Sequence, residues 1–238
     1  MRPVIGLGIF TALGCLLAGD LHAASLEISP VVITLAAGQT SAAIEVQNRG
    51  GTPAAIQGRA FDWRQAADDD VLTPTEEVIL SPPIFTIPGG ASQTLRLLLR
   101  GGRAGKERSY RLLLNEVPPA NAAGRQVTIA LQVSLPVIAE PVATGPAASL
   151  QWRAERGPDG RIMLTASNTG SVFTKVAAIA VTMSDGSHPK VVPQGKTPYV
   201  LPGAQRHWIV QGGNAAAGTP LRLSVTTGAG KSEQTLMP

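Results

Sequence analysis

The sequence predicts an all-β protein. Three features of its 238 residues carry that expectation. Its 26 glycines and 19 prolines are spread without a period, short apolar–polar alternations recur between turn residues, and no stretch sustains a 3.6-residue period. Hydrophobic residues make up 44% and charged residues 15%, which suits a packed core and argues against a disordered chain. The length allows one large domain or two small ones. The net charge of +4 comes from scattered basic residues with no aromatic stacking platform, so no nucleic-acid partner is expected.

The chain opens with a basic Arg2, an uncharged apolar run from Val4 to Ala18, and small residues at Ala23 and Ala24. This is the layout of a secretory signal peptide over 1–24, too short and wrongly flanked to span a membrane, so the mature chain is expected not to insert into one. Cys15, the only cysteine, lies inside it and is at most a loose match to a lipoprotein box. Removal of the leader leaves a cysteine-free chain without a disulfide, thiol nucleophile or thiolate metal site.

Seven strands are expected in the first half. Leu26 to Leu35 opens it. Ser41 to Asn48 alternates, with Ala42, Ile44 and Val46 on one face, and Gly50-Gly51 closes the run. Ala54 to Trp63 carries Phe61 and Trp63 together, and Asp68-Asp69-Asp70 then reads as a solvated turn, since no calcium-loop ligand spacing follows. Val78 to Ile87 is interrupted by Pro82-Pro83; Ser92 to Arg100 aligns Leu95, Leu97 and Leu99; Tyr110 to Val117 follows. The cleanest alternation is Val127, Ile129, Leu131, Val133 and Leu135. Turn signals about every ten residues give the rhythm of an immunoglobulin-like sandwich.

Pro136, Pro141, Gly145 and Pro146 mark a boundary and a short stiff linker. The expected division is therefore a first domain over 25–141 and a second over 146–238. Ser149 to Glu155, Arg161 to Ala166, Thr174 to Met183, Lys190 to Val192, Arg206 to Val210 and Leu221 to Thr227 are the strand candidates of the second. Gly157-Pro-Asp-Gly160 is the hairpin turn between its first two strands. The two halves share a style and no visible motif.

Enzymatic equipment is sparse. Only His188 and His207 remain beyond the leader, with no HExxH cluster and no G-x-S-x-G elbow. Gly230-Lys231-Ser232 ends like a phosphate loop, but Val225 stands where its earlier glycine belongs, and six residues leave no room for the completing helix. Neither catalysis, a cofactor nor a metal is expected.

Tyr110-Arg-Leu-Leu-Leu-Asn-Glu-Val-Pro-Pro119, followed by Val127-Thr-Ile-Ala-Leu-Gln-Val133, resembles the signature of the periplasmic pilus chaperones of the chaperone–usher pathway. Ser81-Pro82-Pro83, the run from Pro88 to Leu97, and Asn168-Thr-Gly170 add to it in the family's order. The resemblance implies a boomerang of two immunoglobulin-like sandwich domains in the periplasm. Such a protein binds pilus subunits that lack their last strand, lends them its own strand, and delivers them to an outer-membrane usher. The lending residues are then Val127, Ile129, Leu131 and Val133. On the alternation alone, they could equally face only their own core.

The sequence departs from better-known members of that family, which grip the subunit's C-terminal carboxylate with an arginine and a lysine. The matching positions are Pro30 and Pro136, and this likens the chain to the archaic branch of the pathway. Arg111 and then Arg96 are the candidate carboxylate anchors. Glu107 matches an acidic residue that pairs between domains in the family, but Glu140 stands where its arginine partner belongs, which puts that salt bridge in doubt. A structural or adhesive surface protein of immunoglobulin-like domains is the alternative, and a periplasmic hydrolase a third possibility disfavoured by the missing motifs.

Overall fold

The computed structural model describes residues 25–101, 105–118, 130–142, 145, 147–212 and 218–238, so the leader and its cleavage site lie outside the described residues. The first sandwich is built from β1 (Leu26–Ser29), β2 (Ile33–Leu35), β3 (Ser41–Asn48), β4 (Ala54–Ala66), β5 (Asp69–Pro74), β6 (Val78–Ser81), β7 (Ile84–Ile87), β8 (Ser92–Leu99), β9 (Arg108–Glu116) and β10 (Gln132–Ala139). One sheet runs β1-β3-β8-β6; the other runs β2-β10-β9-β4-β5, with β7 also paired to β4. Period-two alternation puts Ile44, Val46, Leu95 and Leu97 of one sheet against Ile56, Leu112, Leu114 and Val137 of the other. Each such buried side chain contributes roughly 1.5–3 kcal/mol.

Prolines divide the expected strands. The run from Leu26 to Leu35 changes sheets at Pro30, giving β1 antiparallel to β3 and β2 parallel to β10. The run from Val78 to Ile87 likewise splits at Pro82-Pro83 into β6 and β7, which lie in opposite sheets. Pro136, expected as a boundary, instead lies within β10, opposite Arg111. Pairing with β2 begins only at Val137, so β10 is still an edge at Pro136, where a missing N–H is tolerated. Val127 and Ile129 lie outside the described residues.

The second sandwich packs β11 (Leu150–Arg156), β12 (Ile162–Asn168), β16 (Gln205–Gln211) and β14 (Lys190–Pro193), in the order β11-β12-β16-β14, against a sheet ordered β15-β13-β17-β18. The latter consists of β13 (Thr174–Thr182), β15 (Tyr199–Val200), β17 (Leu221–Thr227) and β18 (Gly230–Leu236). Its core joins Leu164, Ala166, Trp208 and Val210 to Val181, Leu221, Leu223 and Val225. Gly230, Lys231 and Ser232 open β18, an exposed edge strand paired only with β17 among the described residues. The Gly-Lys-Ser run is therefore strand rather than phosphate loop.

The halves do share a motif. Asn48 and Asn168 are both buried, and each amide donates to two carbonyls, those of Thr52 and Ile87 in one case and of Val172 and Val200 in the other. Each side-chain oxygen accepts the N–H of the glycine two residues on, Gly50 or Gly170. A second recurring segment answers it. The Ala91 and Ala204 carbonyls accept the Asn48 and Asn168 N–H groups, and the Gly90 and Gly203 N–H groups donate back. The sequence carries this as Asn-x-Gly followed by Ile87-Pro-Gly-Gly-Ala in one half and Leu201-Pro-Gly-Ala in the other.

Candidate functional site

Along β10 the residues diverge in what they do. Leu135 and Val137 are buried in the first sandwich, and Val133 packs half-buried against the same core. Leu131, also half-buried, lies just before the strand; its N–H donates to Glu116 Oε2 at 3.2 Å and its carbonyl accepts the Glu116 N–H at 2.8 Å. Gln132 Nε2 donates to Asn115 Oδ1 at 2.6 Å, which holds the start of β10 on β9. From Gln132 to Pro136 only that side is paired. The other edge, short of the start of β2 pairing at Val137, has no strand partner among the described residues. Val31 (66% exposed) and Val32 (36%) immediately precede β2.

Arg111 occupies the opposite face of β9 from Tyr110, Leu112 and Leu114, and that face is covered by the second sandwich. Its guanidinium lies 3.7 Å above the Trp63 ring and 5.5 Å from the Tyr199 ring. Trp63 in turn meets Tyr199 edge-on at 5.4 Å and clusters with Ile138, Leu201 and Ala204. Arg111 is only 7% exposed, yet its guanidinium makes no hydrogen bond to any described residue. Its nearest counter-charge is Asp70, at 3.9 Å. Burial pulls the guanidinium below its ordinary pKa, and Asp70 partly offsets this. Arg96 lies on β8 in the other sheet, opposite Ala43 and Ser81, and is exposed. The two candidate anchors are thus in different sheets and do not converge.

The acidic turn proves to be a latch rather than a solvated loop. β4 runs beyond Trp63 to Ala66 and returns as β5, carrying the turn into the second sandwich. Asp70 Oδ1 accepts from Arg206 Nη2 and from Gln65 Nε2 (3.1 Å), while Oδ2 accepts from Thr197 Oγ1 at 3.0 Å. Asp68 accepts the His207 N–H at 2.8 Å and contacts its Nδ1 at 2.9 Å. The sandwiches approach so closely here that a Cβ on Gly195 would lie 2.7 Å from the Asp68 carbonyl oxygen. Glu107 bridges the halves as well, through backbone in place of an arginine. Its N–H donates to Ser171 O at 2.9 Å, and its carboxylate accepts from Phe173 N and Ser109 Oγ, both at 3.1 Å.

Asp70 and Arg206 are 136 positions apart, and no local pattern links them. Alternation puts Trp63 on one face with Phe61, but period two cannot say that it faces a second domain instead of its own core. Among the described residues, no group of His, Cys, Asp and Glu is placed to hold a metal, and no helix is long and apolar enough to cross a membrane.

The described residues thus form two immunoglobulin-like sandwiches latched at a polar junction, with β10 unpaired on one side from Gln132 to Pro136 among the described residues. The chain belongs to the pili and flagellar-assembly chaperones, whose PapD N-terminal domain profile matches residues 25–145. Among solved structures, it is similar to the CsuC–CsuE chaperone–tip adhesion subunit pre-assembly complex from the archaic Csu pili of Acinetobacter baumannii. There the identity is 24% and the TM-score 0.66, over 89% of this chain and 98% of that one. The SafA pilin–SafB chaperone complex of Salmonella enterica matches at 20% identity and TM-score 0.61, over 90% and 96% of the two chains. The E. coli chaperone DraB matches at 17% and 0.61, also over 90% and 96%. Among curated proteins compared by sequence, none matches.

Proposed function

We propose that this chaperone works in the periplasm, without catalysing a reaction, by lending the β10 edge to pilus subunits that lack a strand and passing them to an outer-membrane usher. The observation that carries this is the edge from Gln132 to Pro136, free of a second strand partner among the described residues. A guest strand can pair with that main chain while alternate side chains enter its groove, a mode of recognition of which chaperone–pilin complementation is a known instance. Val127, Ile129 and Leu131 are the lending side chains, with Val133 at the transition to the chaperone's own core. Three apolar side chains in a dry groove are worth on the order of 5–9 kcal/mol gross, before ordering costs. The domains assigned to 25–141 and 146–238 fit the two main hydrophobic clusters, with the smaller Trp63 cluster between them, and the Csu likeness together with Pro30 and Pro136 supports an archaic-type chaperone.

Arg111 is the preferred anchor for the subunit's C-terminal carboxylate, because it is a buried cation whose donors meet no acceptor among the described residues, on the strand beside the lending one. Arg96, on an exposed face of the other sheet, is the weaker candidate. The test is co-expression with the cognate subunit. Ile129→Asp with Leu131→Asp should leave the chaperone folded while soluble complex is lost, because a carboxylate in a dry groove meets no partner. Recovery of complex at the wild-type yield would refute strand lending through this face.

A further inference from the structure

The counter-charge of Arg111 does not hydrogen-bond to it. Asp70 is taken up by Arg206, Gln65 and Thr197, and it sits 3.9 Å from Arg111, beyond hydrogen-bond reach. It partly offsets the Arg111 charge, while no donor of that guanidinium hydrogen-bonds to a described residue. Donors exceed acceptors elsewhere at the junction too. Among the described residues, Nη1 of Arg206 (2% exposed) has no hydrogen-bond partner, and neither has the Trp63 Nε1 hydrogen. Two guanidinium groups therefore share one carboxylate.

We propose that Asp70 is the internal competitor of the carboxylate captured at Arg111, and that it sets the selectivity of the anchor; this rests on Arg111 being that anchor. A carboxylate bound at Arg111 must share the field of a fixed negative charge in a poorly hydrated junction, where like charges repel strongly. A free anion therefore binds weakly. A carboxylate at the end of a strand already paired on β10 arrives at high effective concentration and overcomes the repulsion. Asp70 thus restricts the anchor to chain ends and rejects stray anions. Because Thr197 and Arg206 belong to the second sandwich, the competitor is in place only when the two sandwiches are docked.

The test uses the purified full chain without subunit, titrated with acetate and followed by the Arg111 Nε–H resonance and tryptophan fluorescence. Wild type should bind acetate weakly. Asp70→Asn should bind it more tightly, on the order of tenfold at low salt, with the gain shrinking as ionic strength rises, even though the variant melts earlier. Thr197→Val releases Asp70 Oδ2, lets the carboxylate close on Arg111, and should weaken acetate binding several-fold. This second variant carries the test if Asp70→Asn fails to fold. Arg111→Gln should abolish the response in every background. If Asp70→Asn binds no better than wild type while the response still requires Arg111, the competitor role is overturned and the anchor role stands. If Arg111→Gln leaves the response intact, the anchor role is wrong, and the competitor role falls with it.

Discussion

Glu107→Gln isolates the electrostatics of the domain junction. Desolvation pushes the Glu107 carboxyl up from 4.5 to about 7, the hydrogen bonds from Phe173 and Ser109 oppose this, and the Glu140 charge adds to the rise. An acid with a raised pKa in the folded state holds a proton there that the unfolded chain has released. Stability from this group is therefore fully present below about 4.5 and declines as pH rises through about 7. The full shift corresponds to about 3 kcal/mol, and local relaxation of the protein around the charged form reduces this to about 2. Glutamine is neutral throughout and keeps a carbonyl for the Phe173 N–H. The variant should match wild type near pH 4.5 and melt roughly 4–8 °C higher at pH 8. Thermal melts of both proteins from pH 4.5 to 8 give the answer, since every other titrating group is common to the two and cancels in the difference. Parallel profiles, or a variant less stable at pH 8, would refute the reasoning.

Three further substitutions probe how the halves are built and joined. Gly195→Ala puts a methyl 2.7 Å from Asp68 O and 2.9 Å from Arg206 Nη1, so the sandwiches must separate. The expected loss is about 1–3 kcal/mol, with a larger radius of gyration by small-angle scattering. Asn48→Ala and Asn168→Ala each strand buried backbone groups within one sandwich and should cost at least about 2 kcal/mol. Hydrogen exchange should localise each loss to its own half; a loss spread equally over both would contradict independent cores.

The class of fold and most of its strands are legible in the sequence, because period-two alternation is a local property: Ile44 and Val46, or Leu95 and Leu97, must face one way once the chain is extended. It also held the Asn-x-Gly and Pro-Gly-Ala pairs, which are legible as a repeat only once hydrogen bonds show what the asparagines do. The resemblance carried by the Glu116-Val-Pro-Pro119 segment pointed to the family before any geometry did. The tertiary structure decided which sheet each half of a proline-split strand joined, since a proline marks a break and not a destination. It decided that Asp68 and Asp70 bind the second sandwich, because acidic residues at a turn look alike whether water or Arg206 lies opposite. It decided the surroundings of Arg111 as well. Alternation placed that residue out of phase with its leucines, but only the docking of a second domain turns such a surface position into a buried one, and that contact depends on residues more than sixty positions away in sequence.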